Sequence, residues 1–308
     1  MKRRAVVIFR KTRLEELVDK YNSADQARFY IESLGEDFSD YLDEDTAYRE
    51  SLNKVEETLV VLNVRFHFVE RRFLSNYLFN PDDLVLVVGQ DGLVANTLKY
   101  LEGQHVLGVN PDTTRWEGRL LPFTATDLRF ILPEALKYKR HFFEVTMAQV
   151  TLNDGQILKA VNDFFIGVKS HSSFRYSLEI GGVEERQSSS GIIITAPLGG
   201  TAWLKSVLTG AQQILKHFID LPHMKTEVFS SWEERKLVYS VREPFPSLYS
   251  QAENCFGEIS GNQTLTVRSE TPENAVIFSD GIQEDFLEFS SGSLAKVGIS
   301  STRGILLY

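Results

Sequence analysis

The sequence feature that most constrains the fold is the all-apolar run LVLVV at residues 84–88, which a glycine-rich turn follows at once. A short run of this kind is typical of a fully buried strand in a parallel sheet. The turn is Gly89-Gln90-Asp91-Gly92, and it leads into a segment that is predicted to be helical. A strand, a glycine turn and a helix in this order bring backbone N–H groups and a helix N-terminus to a phosphate. The pattern therefore favours a phosphate-binding turn at the end of a buried strand.

The carboxylate of Asp91 lies inside this turn, where it would repel a bound phosphate. It therefore suits a base that takes a proton from a hydroxyl group attacking a phosphate, or a ligand for a magnesium ion. The alternative is an ordinary strand-to-helix turn in which Asp91 caps the helix. This segment alone leaves both interpretations open.

Composition and charge limit the class of protein. The chain has 308 residues, of which 43% are hydrophobic, and this is enough for two domains with cores of their own. It carries 33 Lys and Arg against 42 Asp and Glu, a net charge of −9, which argues against a general binder of nucleic acids or anionic membranes. An anionic substrate would need a locally basic pocket.

Cysteine content and hydropathy indicate the compartment. The single cysteine, Cys255, excludes a disulfide framework and a cysteine-rich zinc site, and it fits a reducing compartment. No apolar stretch approaches the ~20 residues of a membrane span, and the N-terminal residues lack the apolar run of a secretory signal. We therefore expect a cytoplasmic protein.

The first half of the chain alternates between strand and helix patterns, which predicts a doubly wound α/β sheet. A strand at residues 4–9 precedes a helix whose Thr12 and Glu15 have capping-box spacing. Lys11 and Arg13 follow this strand, at the end where open parallel sheets place their ligands. The alternative is that both are solvated charges at a helix start.

Further along, the acidic stretch 36–45 is predicted to be a surface loop, and a helix is predicted from residue 92 to about 102. Another strand, at residues 105–109, is followed by a polar loop containing Arg115 and Arg119, whose planar guanidinium groups could pair with phosphates. Surface arginines are the commoner alternative. Residues 124–139 read as helix that is broken or restarted at Pro133 and connects two domains, so the first domain is predicted at 1–139.

The second half, residues 140–308, changes to period-two alternation with turn signals and predicts a β-rich domain. Two polar segments interrupt it. The first is Asn162-Asp163 in an apolar run. The second is Gly199-Gly200-Thr201 after a strand, opening a helix predicted to reach about residue 217 and again directing backbone donors at a ligand. Alternatively, Thr201 is simply the N-cap of that helix.

Taken together, three blocks resemble the NAD kinase family, which has a GGDG turn, an Asn-Glu pair and a TPTGSTAY-like block. Within the family, the chain resembles the mitochondrial-type branch most closely. The segments that carry this closer resemblance are Lys11-Thr12-Arg13, residues 108–112 with Glu117-Gly118, and Ser189-Ser190-Gly191. The resemblance spans most of the chain. The three blocks are Val88-Gly89-Gln90-Asp91-Gly92, Ala160-Val161-Asn162-Asp163, and Ser190-Gly191-Ile192-Ile193 through Thr201-Ala202-Trp203.

This resemblance implies an NAD kinase / diacylglycerol kinase-like fold, with an α/β domain, a β-rich dinucleotide-binding domain and an active site in the cleft between them. Its last residues are expected to pack back on the first domain. It also implies transfer of a phosphoryl group from ATP to the adenosine ribose 2′-hydroxyl of NAD, giving NADP. Magnesium would arrive mainly with the triphosphate rather than at a protein metal site. A homodimer or higher homo-oligomer is expected, with NAD and ATP as its small-molecule partners.

The family's functional residues carry over by position. Asp91 would be the general base on the 2′-hydroxyl, and Asn162 with Asp163 would hold the ribose and nicotinamide side. Trp203 offers a stacking face where the family often has tyrosine. The remaining expected contacts are Gly89, Gly92, Lys11, Arg13 and Arg115 around the donor phosphates, and Ser190, Thr201, Ala202 and Ser206 around the dinucleotide.

Departures from the family pattern support an alternative function. Gln90 replaces the second glycine of GGDG, and it would be strained if that position had positive φ. Asp163 is one methylene shorter than glutamate. The alternative is a catalytically weakened NAD(P)-binding homologue with a regulatory or partner-binding role. A lipid kinase, which shares the GGDG turn, is disfavoured by the second and third blocks. The sequence does not distinguish NAD from NADH, or ATP from polyphosphate.

Overall fold

The computed structural model of the chain describes residues 3–219 and 226–308. The chain divides into two compact units. Unit 1 comprises Met1–Phe143 and Ile305–Tyr308, and unit 2 comprises Glu144–Gly304.

The helices and strands are numbered in chain order. The helices are α1 Arg13–Tyr21, α2 Ala24–Ser33, α3 Ser39–Val61, α4 Asp91–Leu98, α5 Leu128–Ala135 and α6 Trp203–Phe218, with short 3-10 helices at Arg71–Asn76 and Pro197–Thr201. The strands are β1 Ala5–Phe9, β2 Phe66–Glu70, β3 Leu84–Val88, β4 His105–Asn110, β5 Phe123–Thr124, β6 Phe142–Val145, β7 Ala148–Leu152, β8 Ile157–Ala160, β9 Asp163–Val168, β10 Phe174–Ile180, β11 Val183–Ser189, β12 Gly191–Thr195, β13 Lys236–Arg242, β14 Phe256–Ser260, β15 Leu265–Ser269, β16 Ala275–Ser279, β17 Ile282–Glu288, β18 Leu294–Ile299 and β19 Gly304–Leu307.

Unit 1 is built on a sheet with the strand order β2-β1-β3-β4-β19-β6, and β5 pairs with β4. The β1–β2, β1–β3, β3–β4, β4–β5 and β4–β19 pairs are parallel. All five residues of β3 are completely buried, as its unbroken apolar sequence predicts. The prediction that this strand is buried in a parallel sheet is confirmed.

Helices supply the apolar cover of this sheet. Tyr48, Val55 and Leu59 of α3 and Leu128 and Leu132 of α5 share a core with one face of the strands. Residues of β1 and β3 that point the other way are also fully buried, and α4 contacts β3 and β4. The predicted α/β domain is therefore confirmed.

Unit 2 contains two six-stranded antiparallel sheets. One has the order β11-β10-β15-β18-β7-β8 and the other the order β14-β13-β12-β9-β16-β17. Alternate residues from both sheets enter one hydrophobic core, among them Tyr176 and Val297 from the first and Phe164, Ile194 and Ile277 from the second. The predicted β-rich domain is confirmed.

Several predicted boundaries are wrong. The acidic stretch 36–45 is not a loop throughout, because α3 begins at Ser39 and its carboxylates pair with arginines. Helix α4 ends at Leu98, before the predicted residue 102. Pro133 lies inside α5, which continues to Ala135, so the helix is neither broken nor restarted at the proline. A proline there removes a single backbone hydrogen bond, because it lacks an N–H group. None of the helices in the described residues is both long and apolar enough to cross a membrane.

Candidate functional site

The turn after β3 has little space for a side chain at Gly89 and an unstrained backbone at Gln90. A Cβ atom on Gly89 would lie 2.9 Å from Cδ2 of Leu93, so a side chain there would press on α4. Gln90 has φ −115° and ψ 163°, an extended conformation that any residue can adopt, and it is the N-cap of α4. The strain considered for Gln90 therefore does not arise. Gly92 lies exposed in the first turn of α4.

Asp91 is the first residue of α4, and its carboxylate is held by a neighbouring loop. Its Oδ1 accepts a hydrogen bond from the Leu120 N–H at 2.8 Å, and its Oδ2 accepts one from the Arg119 N–H at 3.3 Å. The helix has no side-chain cap, so the alternative in which Asp91 caps it is wrong. Each carboxylate oxygen has a second lone pair, so Asp91 is fixed in orientation and can still accept a proton.

Two glycines allow that loop to approach Asp91. A Cβ atom on Gly108 of β4 would lie 2.0 Å from the Leu120 carbonyl oxygen, so this close crossing requires glycine. Gly118 has φ +63°, in the left-handed region that favours glycine. The buried Asn110 side chain donates to the Trp116 carbonyl at 3.0 Å. The Gly-Val-Asn-Pro-Asp and Glu-Gly segments thus form the support for Asp91.

Tyr48 of α3 joins the ends of β1 and β3. Its hydroxyl donates to the Val88 carbonyl at 2.7 Å and accepts from the Arg10 N–H at 3.0 Å. Burial raises the pKa of Tyr48 to about 12, so the hydroxyl stays protonated and keeps both bonds at physiological pH. Tyr48 therefore fixes α3 beside the turn that carries Asp91.

Two of the predicted phosphate ligands, Arg13 and Arg115, meet at one carboxylate. Asp40 binds Arg13 through Oδ2 at 2.7 Å and Arg115 through Oδ1 at 2.6 Å. Hydrogen bonds from Arg13, and then from Arg115, lower the pKa of Asp40 below its ordinary value. Buried Glu44 also pairs with Arg13, whereas Lys11 pairs with Asp19.

In unit 2, the second and third sequence blocks are in contact. The Ala196 N–H donates to the Asn162 carbonyl at 2.8 Å. A Cβ atom on Gly199 would lie 2.2 Å from the same carbonyl oxygen, so the turn after β12 can approach Asn162 only with glycine at this position. The structure thus brings the Asn162-Asp163 pair beside the Gly-Gly-Thr segment.

Asp280 holds this pair in place, and the sequence reasoning missed it. Its carboxylate accepts backbone N–H groups of Val161 at 3.1 Å, Asn162 at 2.7 Å and Asp163 at 3.2 Å. It sits at φ +54° in the turn between β16 and β17, ahead of Gly281 at φ +70°. The Asp-Gly pair directly after the apolar run of β16 is the signal that could have identified this turn.

Asp163 is a buried acid, 8% exposed. Burial, followed by the nearby charge of Asp280, raises the pKa of Asp163 to about 7. Opposite it on β12, the hydroxyl of Thr195 is buried and has no hydrogen-bond partner among residues 3–219 and 226–308. The carboxyl of Asp163 therefore takes up a proton near neutral pH.

Asp163 opens onto a cavity of about 450 Å³ in unit 2. Phe165 lies between two other aromatic walls, with ring centroids 5.6 Å from Trp203 and 6.4 Å from Phe278. The cavity combines aromatic faces with charges of both signs. Its lining residues are Asp163, Phe165, Val168, Lys169, Trp203, Arg242, Phe278, Asp280 and Gly281.

The other predicted dinucleotide residues have different positions. Thr201, Ala202 and Ser206 are exposed around the start of α6, whose N-cap is Ala202, so the alternative with Thr201 as N-cap is wrong. Ser190 precedes β12, at the end opposite Thr195, and its hydroxyl bonds to Glu243. The structure therefore does not place Ser190 beside Asp163.

Comparison with known proteins connects this geometry to a family. No protein-family model matches the chain. A probable NADH kinase from Oryza sativa subsp. japonica is 27% identical, and the match covers 82% of this chain and 81% of the relative. Among solved structures, an NAD kinase from Archaeoglobus fulgidus in complex with ATP has a TM-score of 0.58 at 16% identity, covering 99% of this chain and 93% of its own. Yeast NADH kinase complexed with NADH has a TM-score of 0.60 at 16% identity, covering 100% of this chain and 84% of its own.

The resemblance to the NAD kinase family is confirmed. The two solved structures establish the fold, and the rice relative extends the similarity to most of the sequence. The NAD kinase-like blocks occupy defined places within this fold. The first ends β3 in unit 1, and the second and third meet in unit 2.

The side chains of the described residues do not form a metal-binding cluster. Within residues 3–219 and 226–308, no group of three or more His, Cys, Asp or Glu side chains is placed to hold a metal ion. The acidic side chains near Arg13 and Asp163 are instead engaged by arginines or backbone N–H groups.

Proposed function

We propose that this protein is an ATP-dependent NAD kinase, which transfers the γ-phosphoryl group of ATP to the adenosine ribose 2′-hydroxyl of NAD and gives NADP. The position of Asp91 is the observation that carries the proposal. It follows a completely buried central strand, begins a helix, and is oriented by two backbone N–H groups. A carboxylate so fixed suits a general base for a hydroxyl nucleophile.

In the proposed reaction, the oxygen of the 2′-hydroxyl forms a bond to the γ-phosphorus. Asp91 accepts the proton that this hydroxyl loses. The bond between that phosphorus and the bridging oxygen of ADP breaks, and ADP leaves with the electron pair. Such a transfer depends mainly on positioning and charge neutralisation. Magnesium would enter with ATP, and no protein ligand is assigned to it.

Donor phosphates are proposed to bind near Gly89, Gly92, Lys11, Arg13 and Arg115. The convergence of two guanidinium groups on Asp40 supports this assignment, because it shows that one anionic group fits between them. A phosphate oxygen presents a similar acceptor to the planar donors of arginine.

The β-rich domain, predicted at 140–308, is proposed to bind the dinucleotide, and the α/β domain at 1–139 to carry the base. Asn162 and Asp163 would hold the ribose and nicotinamide side, and Trp203 would provide a stacking face. The contact of Asn162 with Gly199 and the nearby cavity support this role. Ser190, Thr201, Ala202 and Ser206 complete the proposed set.

The test is the formation of NADP or NADPH by purified protein from NAD or NADH, with ATP and magnesium or with polyphosphate. Asp91→Asn keeps the size of the side chain but removes its basicity. We expect it to lose activity by at least about 100-fold, the usual range for a general base, while its Kd for NAD stays unchanged. Asp43→Asn, at an exposed position of α3, is the matched control.

If the native protein binds NAD or NADH but forms no phosphorylated product with any donor, the kinase proposal is wrong. The result would instead support the alternative of a dinucleotide-binding homologue with a regulatory role. The relaxed backbone of Gln90 removes the structural objection to activity at that position.

A homodimer or larger homo-oligomer and a cytoplasmic location belong to the same proposal. Helix α6 supports self-association because three apolar side chains are exposed: Ile214 is 64%, Leu215 43% and Phe218 75% exposed. Light scattering of the purified protein across a concentration series will give its mass in solution, and a monomer at every concentration would contradict this part of the proposal.

A further inference from the structure

One sheet of unit 2 carries a row of aromatic rings on the face turned away from its core. Phe165, Phe278 and Phe286 are cross-strand neighbours on β9, β16 and β17. The Phe165 and Phe278 ring centroids are 6.4 Å apart, and those of Phe278 and Phe286 are 5.8 Å apart. Trp203 extends the row at its other end. Three members of the row, Trp203, Phe165 and Phe278, form an aromatic wall of the 450 Å³ cavity.

Two glycines leave room for the Phe165 ring to lie flat on the sheet. A Cβ atom on Gly167 or on Gly191 would lie 2.5 Å from the Phe165 ring. Gly191 also has φ +118°, a conformation that favours glycine. Because neither position has a side chain, the Phe165 ring can lie over the backbone of β9 and β12. This space allows the ring to serve as a stacking platform.

A cation lies at each end of the row. The guanidinium carbon of Arg242 is 5.4 Å from the Trp203 ring centroid and 5.9 Å from that of Phe165. The Lys169 Nζ atom is 3.5 Å from the Phe286 ring centroid. Both cations line the cavity. Neither forms a salt bridge with any residue in the described part of the chain.

Asp163 and Asp280 also line the cavity, but among the described residues neither carboxylate forms a salt bridge with Arg242 or Lys169, which distinguishes the cavity from the arginine group of unit 1. There, Arg13 and Arg115 share the carboxylate of Asp40. In a protein of net charge −9, cations that face aromatic rings and have no salt-bridge partner among the described residues are suited to an external anion. A ligand that joins a planar ring to phosphate groups matches both the wall and its two charged ends.

We propose that Arg242 and Lys169 bind phosphate groups of the dinucleotide while one of its planar rings stacks on Phe165. This inference rests on the proposed function, and it adds three residues that the sequence reasoning did not identify. The ring contributes stacking with the aromatic wall, and the phosphates contribute charge-assisted hydrogen bonds to the two cations.

Calorimetric titration of the full chain tests the inference. Arg242→Met and Lys169→Met remove the charge and keep an apolar stem, and Lys205→Met removes an exposed lysine of α6 that does not line the cavity. We expect each of the first two variants to raise the Kd for NAD or NADH by roughly tenfold or more, the value of a charge-assisted contact. Lys205→Met should leave the Kd unchanged.

Adenosine separates charge recognition from packing, because it offers a planar ring and a ribose without phosphate. Its Kd should be the same for the native protein, Arg242→Met and Lys169→Met. If adenosine binding weakens as much as dinucleotide binding, the two side chains act through packing and the inference is wrong. It is also wrong if both variants bind the dinucleotide as the native protein does.

The native protein supplies a measurement that needs no variant. Added salt should weaken dinucleotide binding more than adenosine binding, since only the former includes phosphate contacts. Equal salt dependence would contradict the inference. The kinase proposal is judged separately, by product formation. If the native protein makes NADP but Arg242→Met and Lys169→Met bind the dinucleotide with the native Kd, only this inference is wrong. If the variants show the expected rise in Kd but the native protein makes no product, only the kinase proposal is wrong.

Discussion

The buried acid Asp163 gives a quantitative prediction about stability and pH. Its pKa is about 7 in the folded protein, against about 3.9 for a solvated aspartate. The folded state therefore holds this proton to a higher pH than the unfolded chain does, and stability falls as pH rises from about 4 to about 7. A difference of about three pKa units corresponds to roughly 4 kcal/mol, which structural relaxation around the charge will reduce.

Asp163→Asn removes the ionisation and keeps a side chain of similar shape. We expect the variant to exceed the native protein in free energy of unfolding by about 2–4 kcal/mol at pH 8, and the gain to vanish towards pH 4. Urea unfolding of both proteins across this range measures the difference, and Asp43→Asn is the exposed control. A stability difference that is constant between pH 4 and pH 8 would refute the assigned environment of Asp163.

Three further variants test the packing around the candidate site by urea unfolding. Gly108→Ala puts a methyl group 2.0 Å from the Leu120 carbonyl, so it should cost about 3 kcal/mol or more and also reduce activity through Asp91; unchanged stability would contradict the close crossing. Gly210→Ala, in open space on α6, should instead stabilise the protein by about 0.5–1 kcal/mol, and a loss would show that the site is not open. Tyr48→Phe leaves the buried Val88 carbonyl without its donor and should cost about 1–3 kcal/mol, whereas a neutral effect would argue against that bond.

Local patterns predicted the parts of the fold that depend on local physics. The unbroken apolar sequence of β3 requires burial on both faces, and the period-two alternation of the second half requires antiparallel sheets that share a core. The capping box at Thr12 and Glu15 is confirmed for the same reason, because its atoms lie three residues apart. Helix α3 was missed at its start because its acidic first turns look solvated until their arginine partners are known.

Long-range partnerships account for what sequence reasoning could not find. Asp280 binds the backbone of Asp163 from 117 positions away, and no local pattern links the two. Arg115 reaches Asp40 across 75 positions. The aromatic row requires the register of β9, β16 and β17, and single phenylalanines in a strand are ordinary core residues until that register is known.

The two sets of cations differ in the groups that orient them, and this difference bears on the anion binding proposed for each. Asp40 holds Arg13 and Arg115 side by side, so the pair is already oriented, but an incoming phosphate must compete with a carboxylate for their donors. Arg242 and Lys169 are held by aromatic faces instead, which leaves their donors available to an anion. A carboxylate therefore orients a cation but weakens its attraction for an incoming anion. An aromatic ring orients the cation and leaves that attraction in place. The sequence shows only that a cation follows a strand, and this position is the same whether a carboxylate or an aromatic ring lies beside the cation. The neighbouring group, which the structure identifies, distinguishes the two cases.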